Sequence, residues 1–181
     1  MSEPQEEEVG GKGFALVFAF LSACLLDQSV KLWVEERASS FAGESEGHAL
    51  VLLSYAENSS ALFGWTVGWP EPLRMVLFSL VFLLALALAW LIFRSLAPGE
   101  WLSSAALGLF VGGAASNLVD RFRLGASLDL FRMPFPAELG EYAPVFNPAD
   151  FCIVVGGIIL LLELWVHEGR ERAATIQPPE D

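Results

Sequence analysis

Histidine and cysteine are nearly missing from this chain, with two of each among 181 residues. The cysteines, Cys24 and Cys152, lie far apart inside apolar sequence and read as small core residues, without disulfide or metal-ligand spacing. Positive charge is also scarce. Ten Lys and Arg face 22 Asp and Glu, for a formal net charge of −12, which argues against nucleic acid as a partner. Charged residues of both signs make up only 18% of the chain, whereas 54% is hydrophobic. That balance excludes an ordinary soluble domain and points to a membrane.

What the chain does have is long apolar runs, at residues 14–26, 75–93, 101–119 and 151–166. A membrane-crossing helix needs about 20 predominantly apolar residues. The second and third runs meet this without a charge, and the first extends helically through Asp27 and Lys31 to Val34. The fourth holds one late charge, Glu163. The reading is an all-α membrane protein with four transmembrane helices, at about 14–34, 73–94, 100–119 and 150–167. The leader before the first run is acidic, and no small-residue cleavage site follows it, which speaks against a cleaved signal peptide. Acidic residues load both ends: Glu3, Glu6, Glu7 and Glu8, then Glu168, Glu171, Glu180 and Asp181. Residues 1–13 are therefore expected to be disordered and 168–181 to form a polar tail. His48 and His167 fall on opposite faces of the membrane, so neither can relay protons for the other.

Carboxylates mark the ends of these spans. The first closes on Asp27, the third on Asp120, and the fourth opens on Asp150. If each run crosses once, all three share a face. A loop between spans three and four adds Asp129 there. Ionisable groups at membrane depth are costly and by default mark function. With both termini inside, that face also carries Lys31, Arg37, Arg74, Arg121, Arg123 and Arg132, against the positive-inside rule.

Two longer segments lie on the same face. Residues 48–55 have the β-branched and aromatic content of a strand, and 61–65 form a second strand or a half-buried turn. Residues 122–147 hold Pro134, Pro136, Gly140 and Pro144, which predicts an irregular loop over the membrane surface. Gly108 and Gly112 form a small-xxx-small pair in span three, a signature of close helix contact.

Asn-x-x-Asp occurs twice, as Asn117-Leu-Val-Asp120 and Asn147-Pro-Ala-Asp150. Asp27 precedes Lys31 at the spacing of an i,i+4 ion pair. Two carboxylates brought close cannot both ionise cheaply, so one retains a proton. Such a pair can activate water with one member and protonate a carbonyl oxygen or leaving amine with the other. Asn side chains can bond an extended peptide, and Arg can orient a carboxylate. Duller accounts exist for each group. Asp120 and Arg121 can be an interfacial ion pair, and Asp150 a first-turn acid favoured by the helix dipole. The residues alone leave open an aspartyl hydrolase or a carboxylate-lined, proton-coupled transporter.

Four blocks occur in a recognisable order: Asp27-Gln-Ser-Val-Lys31, Asn58-Ser-Ser-Ala-Leu-Phe63, Gly112-Gly-Ala-Ala-Ser-Asn-Leu-Val-Asp-Arg121 and Phe146-Asn-Pro-Ala-Asp150. Together they resemble the lipoprotein signal peptidase (signal peptidase II) family. The resemblance implies an aspartic endopeptidase of the bacterial cytoplasmic membrane, with both termini cytoplasmic and the active site on the extracytoplasmic side. It would remove signal peptides from prolipoproteins before a diacylglyceryl-modified cysteine, as a monomer in lipid, without metal or cofactor, and be inhibited by globomycin. Its catalytic aspartates fall on Asp129 and Asp150. Asp27, Lys31, Asn58, Asn117, Asp120, Arg121 and Asn147 match supporting positions, with Arg121 expected to brace the loop carrying Asp129. The family's fold adds a small extracytoplasmic β-cradle and a mobile outer loop.

The chain departs from that pattern in places. Ser60 and Leu62 replace Gly and Ala, Ser116 replaces a Gly before Asn117, and residues 126–130 lack the usual Val and Phe. Ser116 is expected to shift a helix contact slightly. No carboxylate is lost, so an active peptidase is expected rather than a non-catalytic paralogue that binds lipoprotein precursors.

Overall fold

The four apolar runs fold as four helices. A computed structural model of the chain describes residues 4–37, 52–59, 66–132 and 145–176. Helix α1 is Pro4–Glu35, α2 is Glu71–Ser95, α3 is Trp101–Leu124 and α4 is Pro148–Ile176. Three strands, β1 (Leu52–Asn58), β2 (Ser127–Arg132) and β3 (Val145–Phe146), complete the described elements. Each helix contains a stretch long and apolar enough to cross a membrane: Gly11–Glu35, Glu71–Ser95, Trp101–Leu124 and Pro148–Gly169. Large apolar side chains such as Leu84, Leu91, Leu161 and Trp165 point outward, a surface that suits lipid rather than water.

Several boundaries differ from the sequence expectation. Helix α1 starts at Pro4, earlier than the span expected from about residue 14. Proline suits a first helical position. Helix α4 likewise runs on to Ile176 through the polar tail. Helix α3 continues past Asp120 to Leu124 and stops at Gly125, whose φ of 76° caps the helix in the left-handed region. Asp120 and Arg121 therefore sit inside a helix rather than at its end.

Helix α3 is the central member, and its small residues explain why. A methyl built on Gly108 would collide with the Leu16 carbonyl, and one on Gly112 would lie 2.7 Å from the Phe20 carbonyl. On the other side, one on Gly113 would strike the Ala149 carbonyl. These glycines let α1 and α4 approach α3 backbone to backbone, the packing mode that replaces hydrophobic collapse in lipid. Helix α2 is held more lightly. It buries only Ala89, which packs on Leu107 and Val111 of α3. Its C-terminal end is capped by Lys12, which donates to the Leu96 carbonyl at 2.6 Å and sits 5.0 Å from the Phe93 ring.

The segment 122–147 is not wholly irregular, since it contains β2 and β3. They form an antiparallel sheet in the order β1-β2-β3. The missed signal lies in Ser127-Leu-Asp-Leu-Phe-Arg132, whose alternation is strand-like. Leu128 and Leu130 pack on Val30 and Val34 of α1. Alternation then turns Ser127 and Asp129 to the opposite face. The β1–β2 register slips by one residue between Leu53 and Ala56, a bulge of the kind that re-aims side chains beside functional sites. Beyond it Asn58 pairs with Ser127, one diagonal step from Asp129. His48, Ser60, Leu62, the second strand expected at 61–65 and the outer loop at 133–144 lie outside the described residues.

The close α1–α3 contact predicts unequal tolerance at two glycines. Gly112→Val should destabilise by about 1–3 kcal/mol through overpacking. Gly157→Ala, whose new methyl has Phe110 no nearer than 4.0 Å, should be neutral or mildly stabilising. Thermal unfolding in detergent micelles reads both, and equal midpoints would show the close approach to be dispensable.

Candidate active site

One stripe of α1 builds the floor of the site. Ala19, Ala23, Asp27, Lys31 and Val34 are all buried, at intervals of four, four, four and three residues that keep them on one helix face. The small alanines bring α1 close to α3. One turn and two turns further on, the same face must present Asp27 and Lys31 to α3.

Those charges are satisfied within the protein. Lys31 Nζ lies 2.6 Å from Asp27 Oδ2 and 2.5 Å from Asp120 Oδ2, and it donates to Asn117 Oδ1 at 3.2 Å. All three charged groups are fully buried. Asp120 also accepts from Gln28 Nε2 at 2.8 Å and from the Leu128 amide at 3.4 Å, which ties β2 to α3. Asp27 Oδ1 accepts from the Ala149 amide at 2.9 Å, in the first turn of α4. The Asp27–Lys31 pair forms as the spacing predicts. The Asp120–Arg121 pair does not, because successive helical residues diverge by about 100° and Asp120 turns inward to Lys31. The surplus of cations on this face is thus partly accounted for, since Lys31 is enclosed by carboxylates and Arg123 lies 3.4 Å from Glu35.

Above this floor, Asn147 joins the remaining two carboxylates. It stands at the N-cap of α4, with Pro148 at the first helical position. Its Oδ1 accepts from the Asp150 amide at 2.9 Å, and its own amide donates to Asp150 Oδ2 at 3.2 Å. This reciprocal capping box makes Asn-Pro-Ala-Asp a helix-start signal that also immobilises Asp150. Asn147 Nδ2 lies 2.9 Å from Asp129 Oδ1 and 3.0 Å from Asn117 Oδ1. Asn117 Nδ2 in turn donates to Asp150 Oδ1 at 2.8 Å. From the sheet, Asn58 Nδ2 donates to Asp129 Oδ2 at 3.0 Å. Both oxygens of each carboxylate therefore have an amide donor. Burial pushes the Asp129 carboxyl up from the usual range, as does nearby Asp150, against the lowering influence of the bonds from Asn58 and Asn147 and of the Lys31 charge.

Asp129 and Asp150 share the polar end of a cleft of about 600 Å³, together with Asn58, Asn117, Ser127 and Arg121. Its other walls are apolar: Leu77, Phe78, Val81, Phe82 and Ala85 on α2, Phe110, Ala114 and Leu118 on α3, and Ile153 on α4. From Arg121 to Phe110 the lining of α3 runs eleven residues, roughly 16 Å at 1.5 Å per residue. Among the described residues Arg121 makes no hydrogen bond to the segment carrying Asp129, although its charge is felt by that carboxylate. Its guanidinium lies 4.0 Å from the Phe78 ring and donates to the Asn117 carbonyl at 3.0 Å. It forms no ion pair among the described residues. All nine candidate residues converge on this end of the bundle. Gln28, Ser127 and Phe78 are participants without a role in the sequence reading. Gln28 had a visible signal, as the second residue of the Asp27–Lys31 block.

Comparison with known proteins gives three findings. Residues 19–166 match the family described as signal peptidase (SPase) II. The lipoprotein signal peptidase of Geobacter sulfurreducens is 30% identical over 153 residues, 84% of this chain and 92% of that one. That of Halothermothrix orenii is 33% identical over 148 residues, 82% and 93% respectively. A solved bacterial membrane enzyme superposes with a TM-score of 0.66 at 20% identity, covering 96% of this chain and 95% of the other. At that identity it shows a shared fold.

The enclosed ammonium generates a stability prediction. Lys31→Met leaves Asp27 and Asp120 buried without a cation, which should cost about 3–5 kcal/mol. Adding Asp120→Asn should recover part of the loss. Unfolding midpoints in detergent measure both, and a wild-type midpoint for Lys31→Met alone would refute the assigned role.

Proposed function

The chain belongs to the signal peptidase II family, multi-pass membrane proteases that process lipoprotein precursors, and from that premise we propose that it cleaves them by aspartic catalysis. The observation that carries the proposal is the carboxylate pair, Asp129 and Asp150, bridged by Asn147 at the head of an apolar cleft. In this reading the two share one proton when they close on one water, since two carboxylates serving a single water do not both ionise cheaply. The ionised member takes a proton from a water held between them. The water oxygen adds to the scissile carbonyl carbon while the other member protonates the carbonyl oxygen. Collapse of the resulting diol breaks the C–N bond as the amine nitrogen receives a proton, and the dyad returns to its starting state. No covalent enzyme intermediate forms.

The supporting residues have distinct tasks. Asn117 and Asn147 orient the dyad through the bonds described above, and Asn58 holds Asp129 from the sheet. Asp27, Lys31 and Asp120 form the charged floor that keeps α1, α3 and α4 in register. Arg121, resting on Phe78, offers donors to substrate within the cleft. The substrate is proposed to be a prolipoprotein whose cysteine carries diacylglycerol. A cleft that is polar at the dyad and apolar for roughly 16 Å along α3 suits a peptide backbone at one end and acyl or signal-peptide side chains along the rest. The carboxylate end would face outward from the bacterial cytoplasmic membrane, with both termini cytoplasmic and the enzyme acting as a monomer. Peptides that occupy the same cleft, such as globomycin, would compete with substrate.

Asp129→Asn and Asp150→Asn should each lower cleavage of a lipidated prolipoprotein peptide by at least about a thousandfold, on the scale of losing one member of a catalytic unit. Unfolding midpoints should stay near wild type. Wild-type turnover in either dyad variant refutes the assignment.

A second measurement uses pH. The bond from Asn58 favours the ionised form of Asp129, so removing it must raise that carboxyl further. Asn58→Ala should therefore move one limb of the kcat/KM profile to higher pH, the alkaline limb if Asp129 is the proton-donating member and the acid limb if it is the base. A shift to lower pH, or none, would separate Asn58 from the titrating group.

A further inference from the structure

Ser116 stands on α3 one turn before Asp120 and is fully buried, where the motif this helix resembles has glycine. Its hydroxyl donates to Asp27 Oδ2 at 2.7 Å and accepts from Gln28 Nε2 at 3.0 Å. Gln28 Nε2 also donates to Asp120 Oδ1 at 2.8 Å. Lys31 then joins Asp120 back to Asp27. The five side chains Asp27, Ser116, Gln28, Asp120 and Lys31 close a ring between α1 and α3. Its sense is determined, because Gln28 occupies the serine oxygen as a donor and the single hydroxyl proton is left for Asp27.

The ring controls a contact that reaches the dyad. The last torsion of an aspartate is soft, so a carboxylate held by one ammonium can swing. A second donor on Oδ2 restricts that swing and keeps Oδ1 aimed at the Ala149 amide, 2.9 Å away. Ala149 precedes Asp150 in the first turn of α4. We propose that Ser116 is a positioning residue for the hydrolysis, acting through Asp27 and the Ala149 amide on the placement of Asp150. The inference rests on the peptidase reading above. It differs from the expectation that a serine here only perturbs helix packing. Ser116 does not line the cleft, so its influence belongs in turnover and not in substrate binding.

The test uses the purified full chain in detergent with a lipidated prolipoprotein peptide, with rates expressed per folded enzyme. Ser116→Ala and Ser116→Gly should each lower kcat about tenfold, equivalent to about 1.4 kcal/mol in the barrier, with KM within about twofold of wild type. Gln28→Met opens the same ring from its other side. Adding Ser116→Ala to Gln28→Met should cause no further loss, since groups acting through one network are not additive. Wild-type kcat in Ser116→Ala, a loss confined to KM, or losses that multiply in the double variant would each overturn the proposal. A wild-type chain that leaves the peptide uncut would instead sink the peptidase reading, so the two failures are distinguishable.

Discussion

A single ammonium group, that of Lys31, is the contact on which the arrangement of this protein depends. Two buried carboxylates from different helices converge on it, Asp27 from α1 and Asp120 from α3. Each then extends its reach through its remaining bonds. Asp27 takes the Ala149 amide of α4, and Asp120 takes the Leu128 amide of β2. Three helices and the sheet are thereby referenced to one cation. In a lipid environment such groups have no water to fall back on, so the cluster tolerates few alternative geometries. This is a reason to expect it to specify structure, beyond any net stabilisation it supplies.

Glycine makes that cluster possible. Asp27 reaches α3, and Ala149 reaches Asp27, only because Gly108, Gly112 and Gly113 allow neighbouring backbones to approach without an intervening side chain. Close packing and buried charge are coupled here, since widening the helix contact would separate the ion pairs. Helix α2 stands outside this arrangement. It contributes one wall of the cleft and little to the core, and α3 connects it to the rest.

The proposed catalytic pair is supported by a different device. Asp150 is immobilised by the N-terminus of its own helix through the capping box with Asn147, and Asn147 then reaches across to Asp129. Asp129 is aimed by strand alternation, because Leu128 and Leu130 must face Val30 and Val34. A local helix-start signal and a local hydrophobic alternation thus orient two acids that lie 21 positions apart in the sequence. Both devices are built from main-chain geometry and not from loops, which suits a site that must hold its shape.

By itself the sequence determined the four spans, their order, and the convergence of Asp27, Asp120 and Asp150 at one end, because apolar length and alternating direction leave little freedom in a membrane. The i,i+4 spacing of Asp27 and Lys31 likewise foretold their pairing. Only the tertiary structure decided which partner each polar group takes. Asp120 is adjacent to Arg121 in sequence yet bonds Lys31, since successive helical residues point about 100° apart and packing chooses which face is enclosed. Arg121 turns to Phe78, and Ser116 closes a ring where packing alone was expected. Strand β2 escaped notice because its alternation is brief and lies beside a proline-rich stretch. These outcomes depend on contacts between residues far apart along the chain, which local spacing cannot encode.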